Sequence, residues 1–253
     1  MSNKFKVDVI GCGNAYDSEH TNASIMVREN GFHLLIDCGP TVPAKIFSAG
    51  FSPESIDTIY LTHTHPDHCL GLTTLLNWMN AKKRRRPLTI IAQKAQWFMV
   101  DMLVSFAHWP QSSLDFDIKR QSTKSTAVIG PWAVKISPTR HAVSNLSLHL
   151  TTASGHQLFY SGDGLLSADG EQLAEKSNWV FLECETLTHH PSHGSWQDIA
   201  CLSRKPDSHW YLYHIDPKYR HSLNNLISEV NNLSLAKEGE ILDIDSKGNN
   251  NVA

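Results

Sequence analysis

Residues 62–68 read Thr-His-Thr-His-Pro-Asp-His, directly after the apolar run Ile59-Tyr60-Leu61. Three imidazoles and a carboxylate crowded behind a strand restrict the fold more tightly than any other feature of the chain. A turn leaving a strand end aims such side chains into one small volume. Imidazole nitrogen and carboxylate oxygen are the donors that a borderline cation such as Zn²⁺ takes. A polar surface loop would account for the same residue types, and with 15 histidines in the chain some clustering is expected. The ordered spacing H-x-H-x-D-H argues against coincidence.

That spacing after a β-strand resembles the signature of the metallo-β-lactamase superfamily, and the chain is identified as a member over roughly residues 5–216. Further ligands of the superfamily arrive in a fixed order: a His, an Asp, a final His. The chain supplies His141 in Thr-Arg-His-Ala-Val, Asp163 in Tyr-Ser-Gly-Asp-Gly and His214 in Tyr-Leu-Tyr-His-Ile. The resemblance implies an α/β fold, the four-layer αβ/βα sandwich of the metallo-β-lactamase type, with two metals along one edge. It assigns His63, His65 and His141 to one metal and Asp67, His68 and His214 to the other, with Asp163 bridging. The chemistry agrees independently, since three neutral imidazoles leave a coordination position open, as in catalytic zinc sites. Two neighbouring ions can acidify a shared water and present hydroxide as nucleophile. The expected cofactors are two divalent ions, Zn²⁺ first, with Mn²⁺ and Fe²⁺ admitted by the same donors. Singly, Asp163 between glycines also reads as a turn residue and His141 as a surface His; the joint order outweighs these readings.

Composition bounds the rest. At 253 residues, 41% hydrophobic and 19% charged, the chain is of ordinary globular type and long enough for a sizeable core. It is read as a single hydrolase domain, 1–253. A formal charge of −3 gives no general attraction to RNA or anionic membrane. No apolar run reaches the length of a membrane span, and the start lacks a signal peptide's apolar core. Five cysteines without CxxC spacing read as free thiols, so a cytoplasmic setting is expected.

Periodicity predicts strands at 6–10, 24–28, 32–36, 56–61 and 88–92, with Asn30-Gly31 as a hairpin turn. Helical spacing covers 42–49, 71–81, 95–106, 165–175 and 222–235. Further strands are expected at 132–136, 146–151, 157–160, 179–183 and 210–213. Residues 110–127 carry no clear pattern, 186–206 read as a partly helical insertion, and 249–253 as a frayed tail.

Within the superfamily, Gly71-Leu72-Thr73-Thr74-Leu75-Leu76 and the run from Gly11-Cys12-Gly13-Asn14 to Asn22-Ala23-Ser24 are similar to ribonuclease Z. In that family a Glu-Ala-Thr strand end precedes a His-Ser-Thr loop whose His assists at the scissile phosphate. Glu183-Cys184-Glu185-Thr186 and His193-Gly194-Ser195 occupy similar places. The catalytic candidates are therefore Asp67, His193 as general acid or phosphate contact, and Glu183 orienting it. His193 also has a bland reading as one of several exposed histidines, with His189 and His190. His20, in the loop after the first strand, is a further candidate to face the site.

Two departures count against tRNA as substrate. No Gly/Pro-rich arm is visible, and Ser147-Leu148 stands where that family has Gly-Tyr. The run Lys82-Lys83-Arg84-Arg85-Arg86 reads as a solvated turn between helix and strand. Trp109 and Trp196 read as candidate walls of a pocket for a small substrate. The expectation is a dinuclear, metal-dependent phosphodiesterase acting through a metal-bridging hydroxide on a phosphodiester or small ester-type substrate. The alternative is a lactone, thioester or lactam hydrolase on the same metal core, and a non-catalytic metal sensor is a third class. No membrane partner is expected; relatives of this kind are often homodimers.

Overall fold

The computed structural model describes residues 4–244 and 250–252. The chain divides into two compact units, one of residues up to 11, 21–126 and 238 onward, the other of residues 12–20 and 127–237.

In the first unit, alternation of apolar residues builds a sheet ordered Asn250–Val252, Ile241–Ile244, Phe5–Gly11, Ser24–Glu29, Phe32–Ile36, Thr58–Tyr60, Leu88–Ala92, Ile118–Ser122. Pairing is antiparallel as far as Phe32–Ile36 and parallel beyond it. The hairpin between Ser24–Glu29 and Phe32–Ile36 turns through Asn30 (φ 53°) and Gly31 (φ 78°), the left-handed pair that a tight two-residue turn requires. Register lines up Met26, Leu35, Ile59 and Ile90 across four strands. That row is buried with Ile46 of the helix Val42–Ser48, Leu72, Leu75 and Met79 of Gly71–Ala81, and Val100 of Trp97–His108. Each such side chain contributes about 1.5–3 kcal/mol by leaving water. The alternate row, Ile25, Ile36, Tyr60 and Ile91, lies on the sheet's other face and is buried too.

The second unit's sheet is ordered Leu165–Leu166, Trp132–Arg140, Asn145–Thr151, Gln157–Tyr160, Trp179–Glu183, His209–Tyr213, Leu233–Leu235, with Val128–Ile129 beside Trp132–Arg140. Phe159, Val180, Trp210 and Leu233 form one row, packed with Ala174 of the helix Ala168–Lys176 and Leu223 and Ile227 of Pro217–Ile227. The other face holds an aromatic ladder: Tyr160 stacks on Tyr213 at 4.9 Å between centroids, and Phe181 on Tyr211 at 5.0 Å.

Four expectations change. The helix predicted at 222–235 instead spans Pro217–Ile227, capped by the Asp216 side chain accepting from Lys218 N, and Leu233–Leu235 is a strand. Leu223, Ile227 and Val230 continue a helical period into Leu233, but Asn232 at φ 58° breaks the helical path before it. The featureless stretch 110–127 supplies the strand Ile118–Ser122, and residues 250–252 pair as a strand, while 249 and 253 lie outside the described residues. Within the basic run, Arg84 is buried rather than solvated. Its guanidinium donates to the carbonyls of Pro53 (2.6 Å), Ile56 (2.8 Å), Arg86 (2.8 Å) and Pro87 (3.0 Å), tying the turn to the sheet.

Candidate metal centre

In the first unit the candidate ligands all follow the strand Thr58–Tyr60; in the second, His141 follows Trp132–Arg140, Asp163 follows Gln157–Tyr160 and His214 follows His209–Tyr213. In the first unit, Ile36 is followed by Asp37 in the left-handed region (φ 60°). Asp37 N–H donates to Tyr60 O at 2.8 Å, which turns the carboxylate under the next strand's exit. Its Oδ1 accepts from Thr62 N (2.8 Å) and its Oδ2 from Thr62 Oγ1 (2.8 Å). The same Oδ2 lies 2.9 Å from His68 Nδ1. With Nδ1 held by a carboxylate, His68 offers Nε2 as its ligating nitrogen. Pro66 opens the one-turn helix Pro66–Cys69, which lifts Asp67 and His68 together. Gly39 is required here, because a Cβ would lie 2.0 Å from Asp67 O. His63 Nδ1 meets Thr62 Oγ1 at 3.1 Å, and His63 Nε2 lies 3.0 Å from His65 Nδ1. That separation is close to the ~3.3 Å edge of a tetrahedron of ~2.0 Å Zn–N bonds. Burial pushes the Asp37 carboxyl above its ordinary range, against the His68 charge and Thr62 hydrogen bonds that pull it down.

In the second unit, Tyr160 leads into Ser161-Gly162-Asp163-Gly164. Gly162 and Gly164 take φ of 63° and 101°, and a Cβ on Gly164 would come within 2.6 Å of Arg140 O. Asp163 is braced by its N–H to Asn145 Oδ1 (3.2 Å) and by Thr139 Oγ1 donating to its carbonyl. His141 directs Nδ1 at Ser192 O (2.8 Å), leaving Nε2 3.9 Å from Asp163 Oδ2. His214 (φ 52°) directs Nδ1 at Glu185 Oε2 (3.0 Å) and Nε2 at Asp163 Oδ2 (3.4 Å). Both imidazoles thus keep the same tautomeric arrangement as His68, with Nε2 turned to the metal side. Burial lowers the His141 pKa, which favours the neutral, ligating form. The donor set fits a divalent cation: imidazole nitrogens held in register by their far nitrogens, and an aspartate reached from two sides.

Next to these candidate ligands the buried Glu183 holds His193. Glu183 Oε1 lies 2.6 Å from His193 Nδ1, and Oε2 accepts from Gly194 N (2.9 Å) and from Gly164 N. A Cβ on Gly194 would meet Glu183 O at 2.4 Å, so the loop approaches this closely only with glycine. Donor atoms of Asp163, Glu183 and His193 lie within 4.8 Å of one another. Burial, then the Asp163 charge, pushes the Glu183 carboxyl up. Burial alone would push His193 down, but the Glu183 hydrogen bond and charge outweigh it and its pKa is raised.

Asp37, Glu185 and Asn14 were not among the residues expected from sequence. Asn14 Nδ2 donates to Glu185 Oε1 (3.0 Å), and Asn14 Oδ1 accepts from Tyr16 N (3.1 Å), so the loop after the first strand is tied to the holder of His214. The Tyr16 ring on that loop is 93% exposed. His20 pairs with Asp17 (3.0 Å), and His189 with Asp198 (3.0 Å). Trp196 packs on the second unit's core, and Trp109 follows the helix Trp97–His108.

A family model described as anti-Pycsar protein Apyc1 matches residues 5–242. The chain belongs to that family. A member from Bacillus phage 010DV004 is 25% identical over 256 residues, spanning 94% of this chain and 98% of its own. Ribonuclease Z of Methanothermobacter thermautotrophicus is 29% identical over 145 residues, 56% of this chain and 46% of that enzyme. Among solved structures, the metallo-β-lactamase fold protein YhfI from Bacillus subtilis superposes with a TM-score of 0.80 at 18% identity, covering 96% of this chain and 100% of YhfI. The fold is that of the metallo-β-lactamases, related to ribonuclease Z. The chain is a metal-dependent hydrolase. No helix among the described residues is long and apolar enough to cross a membrane.

Proposed function

We propose that the chain hydrolyses a small cyclic phosphodiester of the nucleotide class, and that both units serve a single hydrolase domain with two divalent cations, Zn²⁺ first. His63, His65, Asp67, His68, His141, Asp163 and His214 would hold the two. Bound divalent cations supply acidification of a water and neutralisation of charge on the phosphoryl oxygens.

The observation that carries the reading is the Glu183–His193 pair. A phosphodiester leaves as an alkoxide, which needs a proton at the moment the P–O bond breaks. Glu183 fixes the His193 Nδ1–H at 2.6 Å and so directs Nε2 outward, while its charge favours the imidazolium. Asp67, whose Oδ2 lies 3.3 Å from His68 Nε2, would orient the attacking water as well as ligate. Tyr16, whose N–H is fixed by Asn14, offers an exposed aromatic face on which a base can stack. A net charge of −3 favours such a compact substrate over a long RNA.

The test is turnover of 3′,5′-cyclic nucleotides and bis(p-nitrophenyl) phosphate by metal-replete protein, beside a chromogenic lactone. His193→Asn is expected to lower kcat by ~10²–10⁴-fold with metal content unchanged. A protein that opens the lactone and leaves both phosphodiesters intact would overturn the reading.

A further inference from the structure

Three parallel strands of the second unit lie side by side: Gln157–Tyr160, Trp179–Glu183 and His209–Tyr213. Their exits carry Asp163, Glu183 and His214. Two buried hydroxyls, those of Ser161 and Tyr213, join all three exits. Tyr213 pairs in register with Glu183, and its ring reaches past that middle strand to stack on Tyr160. There the Tyr213 hydroxyl donates to Gly162 O at 2.9 Å. Ser161 Oγ donates to the same carbonyl at 2.7 Å and lies 3.2 Å from the Tyr213 hydroxyl oxygen. The Ser161 hydroxyl also accepts from Glu183 N at 3.0 Å. On the other side of the middle exit, the Tyr213 carbonyl accepts from Cys184 N at 3.0 Å. Glu183 thus stands inside a bracket whose two arms come from its neighbouring strands.

We propose that Tyr213, with Ser161, is a positioning residue for proton transfer, resting on the reading of His193 as the group that protonates the leaving alkoxide. The bracket sets the Glu183–His193 pair against Asp163 and His214. Gly162 O stands one residue ahead of Asp163, and Tyr213 one residue ahead of His214, so one hydroxyl ties the two exits together. Through Ser161 the same bracket takes the main chain of Glu183, whose Oε1 lies 2.6 Å from His193 Nδ1. The His193 ring is confined in turn, its centroid 5.0 Å from that of His141 and 6.5 Å from that of His214. A misplacement of ~1 Å in such a donor costs on the order of 10²-fold in rate. Satisfying a buried carbonyl needs a single donor. Two converge on Gly162 O, and the oxygen of one also carries Glu183, which is the arrangement of a brace. In the step itself the P–O electron pair passes to the leaving oxygen, which takes the proton from His193 Nε2 and leaves a neutral imidazole. Tyr213 and Ser161 exchange no proton.

Dependence on the leaving group tests the proposal. A 3′,5′-cyclic nucleotide releases an alkoxide, which needs the proton; bis(p-nitrophenyl) phosphate releases p-nitrophenolate, which departs without one. Tyr213→Phe keeps the ring and removes only the hydroxyl. In metal-replete protein it is expected to lower kcat on the cyclic nucleotide ~10–100-fold, at least ~10-fold more than on bis(p-nitrophenyl) phosphate, with KM within ~2-fold. Ser161→Ala should show the same split, and the double variant should lose less than the product of the two, since both hydroxyls act through Gly162 O. In the metal-free protein, the NMR signal of the His193 Nδ1 proton, identified by its absence in His193→Asn, should shift in Tyr213→Phe. Equal loss on both substrates, or native kcat with an unmoved proton signal, overturns the proposal. His193→Asn separates the two levels of failure. If it gives the leaving-group split and Tyr213→Phe does not, the bracket alone is refuted. If it slows both phosphodiesters equally, or the wild type leaves the cyclic nucleotide intact, the underlying reading falls and the bracket's role with it.

Discussion

His63, His65, Asp67 and His68 leave a single turn, whereas His141, Asp163 and His214 are dispersed over residues 141–214 and leave separate strand ends. The contiguous set is supported as a block. One buried carboxylate, Asp37, takes the loop's backbone at Thr62 and the ring of His68 together. The dispersed set is supported one residue at a time: Ser192 O holds His141, Asn145 and Thr139 hold Asp163, and Glu185 holds His214. Chain contiguity thus lets one carboxylate hold both ends of the loop that carries four candidate ligands, at Thr62 and at His68, whereas the distant candidates each need a support of their own. A block should fail together, and a dispersed set piecemeal.

The strongest way to break this contrast is Asp37→Ala. It leaves Thr62 N, Thr62 Oγ1 and His68 Nδ1 without their shared acceptor. Metal affinity is expected to fall ~100-fold, the upper end for loss of a ligand's supporting group. Unpaired buried donors cost about 1–3 kcal/mol each, so the melting temperature of the metal-free protein should drop by roughly 5–10 °C. Chelator competition and thermal melts read both quantities. An Asp37→Ala protein with native affinity and native melting temperature would mean the loop stands without its prop.

Glu185→Gln is the milder counterpart. The amide keeps the side chain's size and can still meet Asn14, but it no longer presents a carboxylate to His214 Nδ1. On the proposed two-ion reading, affinity should fall ~10-fold, the lower end of the same range, for one ion of the two, with no shift in the melting curve. Stoichiometric titration separates the two losses. Should this variant weaken both ions as far as Asp37→Ala does, the second set is a block as well, and the contrast drawn here disappears.

The same contrast explains how much was legible in the sequence. H-x-H-x-D-H announces itself because its spacing is local, and Asn30-Gly31 because its turn demands those residues. His141, Asp163 and His214 were placed through resemblance, since nothing local distinguishes a ligating aspartate from a turn aspartate. Asp37 passed as punctuation: Asp-Cys-Gly-Pro looks like a strand terminator, and its bond to His68 joins residues 31 apart. Glu185 was hidden by Glu183 two positions earlier, on the same strand exit. The strand Leu233–Leu235 was masked by a helical period that ran on past the true end at Ile227, although Asp216-Pro217 did mark the start. Arg84 sits in a run of five basic residues, and no composition rule separates one buried guanidinium from exposed neighbours. What stayed illegible is long-range hydrogen bonding, which leaves no periodic trace.

The smallest effect sharpens the contrast away from the ligands altogether. His149 lies in the strand Asn145–Thr151, whose Asn145 braces Asp163, and pairs in register with Lys135 and Phe159. Burial first, and the Lys135 charge second, hold its pKa down at about 4. In the unfolded chain His149 takes up its proton near its ordinary value of about 6.5, so between these limits the unfolded state binds more protons. Stability is therefore complete above pH ~6.5 and declines as pH falls towards 4, by on the order of 3 kcal/mol. His149→Phe should flatten that acid limb while leaving activity at pH 7.5 unchanged, as denaturant midpoints between pH 4 and 7 would record. Hydrogen exchange at pH 5 should show the strands at 132–160 opening before those at 24–36, because burial holds His149 down to about 4, further than it lowers His33 in the strand Phe32–Ile36. Equal opening of both sheets, or an acid limb untouched by the substitution, would place the weakness elsewhere.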